Sequence, residues 1–548
     1  TFIDYNIQDV NLLVRLEQKL QYIPLLRMLS YVGLTTLEGA MGTIQVINGA
    51  LCIKARHRGE VISTFLRNAD TGKNPGAYVA EPKQGFQNHV VSFDANSLYP
   101  NVMISLNTSP ETKVGKVETT TDNKVIIQHV TGKVFELDKP AFVKFLKEEE
   151  CSLSKAGFLF TQKKKGIIPE FLEYYYNKRV LIKKDLYKAK TKLKKLKKNS
   201  SEYIDAMYEV ERLNTSQMVI KILINSCYGY MGNKNAPIGD DDIASSVTLT
   251  GQAVIKYSNE LIKEFIKKEI PDSSYVSITP LVSKGLNFFD GNDIHQDTHD
   301  KIQEIEDYLN AGVKKWADKS LLSKDSRFIF KRECIADVGV FLQKKRYVMH
   351  ILDDEGIKEN KFKYTGVEVV RTTMPNAIKP YAKKIIETML TTQSLSKTNA
   401  LLNETYDIFK NLLPQELAFV MGIKGYEKYA VQCNEFATTK GMPIHVKSAY
   451  FYNLILDKIG TGNKYESIGT GDKVRYMYVE RPNKYGLDSI GFKYNYPTEF
   501  KDVFKVDYDK MFEKILFQGI ERFYVCVGWN IRKPADNVRV ELFDLFSK

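Results

Sequence analysis

The string Asp94-Ala-Asn-Ser97-Leu98-Tyr99-Pro100 follows a short β-prone apolar run, His89-Val-Val-Ser-Phe93. An aspartate at the tip of a core strand, with a turn after it, offers a carboxylate and a backbone carbonyl to one hard cation. Taken alone, that aspartate reads better as a cap for a helix beginning near Ser97. A pair of divalent cations would require a further carboxylate, converging from a separate strand. A second group of candidates is basic. Arg179 and Lys183 recur at helical spacing with Tyr174, Tyr175 and Tyr176, which predicts one aromatic and cationic face for a phosphate ligand.

These residues need a scaffold. At 548 residues the chain is too long for one core, so several domains are expected. Hydrophobic residues at 43% and charged residues at 26% are an ordinary globular balance and exclude wholesale disorder. A formal charge of +13 points to a polyanionic partner, nucleic acid before membrane. Six cysteines without CxxC spacing give neither a zinc site nor a disulfide framework. Without an apolar run of membrane-spanning length or a signal-peptide pattern, a soluble intracellular protein is expected.

The pattern predicts helices up to about Leu51, then a turn-rich segment with Asn68, Gly72, Asn74, Pro75 and Gly76. A helical hairpin is predicted over 166–232, entered at Gly166-Ile-Ile-Pro169 and turned at Asn199-Ser200-Ser201. Its lysine-dense outer half, Lys184 to Lys198, reads as a solvated face. A long helix over about Ser246–Lys268 follows, and then mixed strands leading to Lys344-Lys345-Arg346-Tyr347. From Met374 the chain reads as mainly helical with a β-rich insert between Lys447 and Phe500.

Motifs in one order carry a resemblance. Asp94-x-x-Ser97-Leu98-Tyr99-Pro100 with Asn107-x-Ser-Pro-Glu-Thr112, and then Lys221-Ile-Leu-Ile-Asn225-Ser-Cys-Tyr228-Gly229, resemble the first two polymerase motifs of family B DNA polymerases. Gly76-Ala-Tyr-Val-x-Glu-Pro82, Lys344-Lys-Arg-Tyr347 and Gly366-Val-Glu368 extend the likeness over essentially the whole chain, above all to the replicative enzymes of T-even-like bacteriophages. The resemblance implies template-directed addition of deoxynucleoside triphosphates to a primer, and a multidomain α/β right hand with a mixed palm, helical fingers and a mainly helical thumb. It implies an N-terminal region with the end of an exonuclease domain over 1–75, and palm over 76–165 and 234–373. Fingers would span 166–233, and a thumb with a clamp-binding tail 374–548.

Residue roles follow from the same likeness. Asp94 and the Ala95 carbonyl would bind metal, as two Mg²⁺ ions with Mn²⁺ possible. Ser97, Leu98, Tyr99, Arg179, Lys183, Lys221, Asn225 and Tyr228 would hold the nucleotide, with Tyr99 leaving no room for a 2′-hydroxyl and Lys221 able to protonate the leaving group. Gly229, Lys344, Lys345, Arg346 and Tyr347 would meet the primer–template.

The third family motif, Asp-Thr-Asp-Ser, has no full counterpart. One register lays Tyr275-Val-Ser277-Ile-Thr279-Pro280 on it and keeps no carboxylate. The preferred register keeps Asp272 as the second catalytic and metal-binding acid, with Pro271 and Ile270 where Thr and the first Asp belong. It leaves no residues for the hairpin's first strand, so either residues are absent there or the site is altered, and absence is favoured. Glu333 ranks below both aspartates. Tyr5-Asn-Ile-Gln-Asp9-Val10 resembles the last exonuclease motif, and Asp9 alone cannot build a two-metal site. No proofreading by this chain alone is expected, and the rest of the exonuclease is expected on a further segment or on a separate exonuclease-bearing chain. Leu542, Phe543, Leu545 and Phe546 near the end resemble a tail that docks on a sliding clamp. The alternatives are a non-catalytic nucleic-acid-binding relative and one half of a split polymerase. The expected setting is the cytoplasm of a phage-infected host.

Overall fold

The structure, a computed structural model, describes residues 2–62, 74–119, 124–198, 200–269, 279–290, 293–371 and 374–534. Asp272, the tail residues Leu542, Phe543, Leu545 and Phe546, and the turn residues Asn68, Gly72 and Asn199 lie outside the described residues. The chain divides into two compact units. The first comprises Thr1–Tyr78, Phe93–Val276 and His299–Arg332, and the second Val79–Ser92, Ser277–Thr298 and Glu333–Lys548.

The first unit is built on helices. Three N-terminal ones, α1 (Phe2–Leu20), α2 (Tyr22–Gly33) and α3 (Thr43–His57), match the expectation for that stretch. Strand β1 (Gly85–Ala95), of which only Phe93–Ala95 belong to this unit, carries Asp94 near its end, as predicted, and leads into α4 (Leu98–Leu106). A five-stranded antiparallel sheet follows, from β2 (Lys113–Thr119), β3 (Val125–His129), β4 (Val134–Leu137), β5 (Cys151–Leu153) and β6 (Phe158–Thr161), in the order β4-β3-β2-β6-β5, with α5 (Lys139–Glu148) inserted. The expected hairpin forms as α6 (Ile167–Lys195) and α7 (Ser201–Met231), and α8 (Asp241–Glu269) begins somewhat before Ser246. Apolar side chains at helical spacing make the core: Val102, Met103 and Leu106 of α4, Val219, Ile220, Leu223, Ile224 and Cys227 of α7, and Val247 and Val254 of α8.

Asn107 explains why α6 starts where it does. Its amide oxygen accepts the Gly166 N–H at 2.9 Å, and its Nδ2 donates to the Thr161 and Lys164 carbonyls at 2.7 and 2.8 Å. Glu111 accepts the Ile167 N–H at 2.6 Å. These side chains satisfy donors that the first turn of a helix leaves open. At the other end of the hairpin the Ser200 hydroxyl caps α7 through the Tyr203 N–H.

Two expectations fail in the later part of the chain. Much of the stretch expected as mixed strands is the 25-residue helix α10 (Gln296–Ser320), after the short α9 (Thr279–Ser283) and the small pair β7 (Phe289–Asp290) and β8 (Asp293–Ile294). Ile302, Ile305, Leu309, Val313 and Ala317 recur every three or four residues and are all buried, which is the helical signal that decides it. The insert beginning at Lys447 is not β-rich at its start, because α15 (Ile444–Lys458) covers it. Val446, Ala449, Tyr452 and Ile455 form its buried stripe, and that spacing outweighs their aromatic and β-branched character.

In the second unit a four-stranded sheet has the order β1-β9-β10-β11, with β9 (Phe330–Gln343), β10 (Arg346–Asp354) and β11 (Ile357–Thr365) as antiparallel neighbours. Beyond it lie α11 (Lys379–Thr392), α12 (Leu395–Phe409), α13 (Pro414–Leu417), α14 (Tyr426–Ala430), and a three-stranded sheet of β12 (Phe419–Gly422), β13 (Lys473–Tyr478) and β14 (Ser489–Phe492). Among the described residues the last helical rod runs from α16 (Tyr508–Phe512) through a π-helical turn into α17 (Gln518–Cys526).

Asn107→Ala leaves two carbonyls and one helix-start N–H without these partners. The expected cost is on the order of 3 kcal/mol, read as a lower melting transition for the first unit in calorimetry.

Candidate active site

Asp94 is exposed at the end of β1, and the turn after it is pinned on both sides. The Asn96 N–H donates to the Ile329 carbonyl at 2.9 Å, and the Asn96 carbonyl accepts from Asn101 Nδ2 at 2.6 Å. Ser97 then enters α4 with φ 47°, in the left-handed region, and its own side chain makes no capping hydrogen bond. Leu98 and Tyr99 sit half-buried in the first turn of α4.

Tyr99 is tightly enclosed. Its ring lies 4.6 Å from that of Tyr228, tilted by 56°. On another side a Cβ added at Gly251 of α8 would stand 3.0 Å from Tyr99 Cε1 and 3.7 Å from Leu98 Cδ2. Burial pushes both phenols, Tyr99 and Tyr228, above the ordinary tyrosine value. Both hydroxyls therefore stay protonated at neutral pH.

On α7, Gln217, Lys221, Asn225, Tyr228 and Gly229 fall at i, i+4, i+8, i+11 and i+12, which is one helix face. Lys221, Asn225 and Gly229 are exposed and Tyr228 is half-buried. Gln217 ties this face to α6, because Arg179 Nη2 reaches its Oε1 at 3.5 Å. A Cβ at Gly229 would meet nothing within 4 Å, so the chain's own packing does not demand glycine there.

A cavity of about 480 Å³ opens along α6, lined by Tyr176, Arg179, Val180, Lys183, Lys184, Tyr187 and Lys188, with Asn96 from the turn after Asp94. The predicted aromatic face is thereby corrected. Only Tyr176 of the three consecutive tyrosines lines the cavity, since neighbouring residues on a helix point about 100° apart. Tyr174 is exposed beneath the Lys178 ammonium, and Tyr175 packs on Phe171 at 4.8 Å. Sequence reading missed Asn96, Lys184, Tyr187, Gln217 and Gly251 as site residues. Tyr187 continues the Tyr176, Val180, Lys183 stripe, and an isolated glycine inside a helix was itself a usable signal for Gly251.

For a metal, the donor types fit. A carboxylate and the following main-chain carbonyl, from Asp94 and Ala95, suit a hard cation. Among the described residues there is no group of three or more His, Cys, Asp or Glu side chains able to hold an ion. Glu333 of the second unit is engaged elsewhere, accepting from Ser92 Oγ and Lys363 Nζ, each at 2.9 Å.

Also in the second unit, Lys344 and Lys345 form the tip of the β9–β10 hairpin, Lys345 in the left-handed region with φ 59°. Lys344 pairs with Glu81 at 2.8 Å, Arg346 pairs with Glu368 at 3.1 Å, and Tyr347 stacks on Phe341 at 5.3 Å. Asp9 lies exposed on α1.

The sequence model described as DNA polymerase family B matches residues 40–527. The chain belongs to that family. It is 24% identical over 614 residues to the DNA-directed DNA polymerase of Escherichia phage RB69, covering 100% of this chain and 64% of that protein. It is 23% identical over 600 residues to the DNA-directed DNA polymerase of Enterobacteria phage T4, covering 97% and 64%. DNA polymerase 1 of Pyrococcus abyssi (strain GE5 / Orsay) is 25% identical over 346 residues, covering 62% and 35%. The chain thus spans less than two thirds of the length of its two phage relatives. No helix among the described residues is long and apolar enough to cross a membrane.

Alkaline titration tests the enclosed tyrosine pair. In Tyr99→Phe and in Tyr228→Phe, ultraviolet difference spectra against the parent protein are expected to show the missing phenol ionising above 10.0, the value without burial.

Proposed function

We propose that the protein is a DNA-directed DNA polymerase that extends a primer 3′ end by template-directed addition of deoxynucleoside triphosphates. The observation that carries this reading is the cavity in which Asn96, two residues past Asp94, shares a wall with Arg179 and Lys183. The turn that follows the Asp94 carboxylate and the guanidinium and ammonium groups of Arg179 and Lys183 border one cavity, which suits phosphoryl transfer.

In this reading 166–233 are fingers, 76–165 and 234–373 are palm, 374–548 are thumb in a right-hand arrangement, and 1–75 include the end of an exonuclease domain. Asp94, the Ala95 carbonyl and Asp272 would hold two divalent cations, Mg²⁺ or Mn²⁺, which when bound supply the charge that activates the primer oxygen and grips the triphosphate. Arg179, Lys183 and Lys221 neutralise the phosphates, and Lys221 is able to hand a proton to departing pyrophosphate. The Tyr99 ring, backed by Tyr228 and Gly251, closes the space a 2′-hydroxyl would need. Asn225, Tyr228, Ser97 and Leu98 border the nucleotide. Gly229 leaves room for DNA, and Lys344, Lys345, Arg346 and Tyr347 hold the duplex by contacts that carry no sequence preference.

Two partners belong to the same proposal. The tail residues Leu542, Phe543, Leu545 and Phe546 would dock on a sliding clamp. A further segment bearing the body of an exonuclease would cover α1, a reading supported by the exposure of Ile3, Val10, Leu13 and Leu16 at 68, 53, 67 and 52%. Apolar groups left so open on one helix suit a protein partner, and native mass spectrometry of the purified material would detect one.

Primer extension tests the central reading. Asp94→Ala is expected to lower the rate by about 100-fold or more, with primed-DNA binding retained. Tyr99→Ala is expected to raise ribonucleotide use relative to deoxynucleotide by at least about tenfold. Full activity in Asp94→Ala would refute the assignment.

A further inference from the structure

Within the second unit, α17 and the β9–β10 hairpin enclose a cleft of about 550 Å³, lined by Gln84, Leu342, Gln343, Arg346, Glu521, Arg522, Val525 and Cys526. Its walls are tied together by one thiol. Cys526 Sγ accepts the Gly85 N–H at 3.1 Å and donates to the Phe341 carbonyl at 3.1 Å. Burial pushes that thiol up, so it stays protonated and able to donate.

At one side of the cleft, three guanidiniums converge on a single carboxylate oxygen. Arg522 Nη1 lies 2.6 Å, Arg346 Nη1 3.1 Å and Arg371 Nη2 3.7 Å from Glu368 Oε1. The other oxygen, Oε2, is buried, with no hydrogen-bond partner among the described residues. Glu368 also lies against α17, since a Cβ at Gly519 would stand 3.6 Å from Glu368 Cβ. Three positive charges against Glu368 leave an excess of two, and Glu521 on the cleft offsets one. Like charges gathered this closely repel, and planar guanidinium forks match the oxygens of a phosphate.

We infer that this cleft binds a backbone phosphodiester of duplex DNA through Arg522 and Arg346, and that Glu368 is the positioning residue that holds both forks toward it. The inference rests on the polymerase reading for its ligand and adds Arg522, Arg371 and Glu368, which lie outside the hairpin motif. It has an unusual signature. Were charge alone at work, neutralising Glu368 would strengthen DNA binding. If Glu368 positions the arginines, neutralising it weakens binding although the protein becomes more positive.

The test is fluorescence anisotropy of a labelled primer–template duplex across a salt series, with the full chain and its Glu368→Gln, Arg522→Gln and Arg522→Lys variants. Arg522→Gln is expected to weaken binding about threefold to tenfold and to reduce the salt slope by about one. Arg522→Lys, which keeps the charge but loses the fork, should restore the slope and only part of the affinity. Glu368→Gln should weaken binding by a similar factor, and the Glu368→Gln/Arg522→Gln pair should be less than additive. Equal or tighter binding by Glu368→Gln, or an unchanged salt slope in Arg522→Gln, overturns the inference while leaving the polymerase reading intact if the parent chain binds primed DNA. Failure of the parent chain to bind overturns both. Altered inhibition by pyrophosphate in Arg522→Gln with unaltered DNA binding would mean that the cleft takes a free anion, and overturns the proposal too.

Discussion

The arrangement of the first unit depends on how closely three helices approach around one ring. Tyr99 on α4 has Tyr228 of α7 at 4.6 Å on one side, and on another the backbone of α8, where only glycine fits without displacing it. Interiors packed at this density transmit small displacements instead of absorbing them. The position of the Asp94 turn, the basic face of α6 and the α7 stripe are therefore coupled through α4. The Asn107 amide contributes to the same coupling from below, because it joins the end of α4 to the start of α6.

Much of this was legible in the sequence. Strand β1 ending in an aspartate, the hairpin of α6 and α7, and the α7 face carrying Lys221, Asn225 and Tyr228 follow from apolar periodicity and from motif order. The failures have physical causes. Three adjacent tyrosines cannot share one helix face, so only Tyr176 reaches the cavity. In α10 and at the start of α15, where strands are expected, the i, i+3, i+4 spacing of the buried side chains is the signal that decides for helix. Asn107 and Glu111 belong to a recognised motif, yet their work is structural: they fill the open donors of α6, a role that only tertiary proximity reveals.

The second unit shows a different use of charge. Along the β9–β10 hairpin, Lys344 and Arg346 are each matched by a carboxylate, Glu81 and Glu368. Such pairs at half-exposed sites add little net stability. They do restrict where long side chains point, which matters on a surface that would meet a polyanion. The first unit achieves order differently, by burying neutral rings and short polar caps beneath its basic residues.

Helix α6 has 29 residues, roughly 43 Å of rod at 1.5 Å per residue. Five of its six buried residues lie in its first turns, from Ile167 to Leu172, and only Leu186 is buried beyond them. Mechanically it is a beam clamped at its base and braced along its length by α7. A tilt of about 0.1 radian at the clamp would carry the far end some 4 Å by simple leverage, and the Arg179 and Lys183 side chains proportionately less. The cationic groups farthest from the aspartate turn are thus also those with the longest swing.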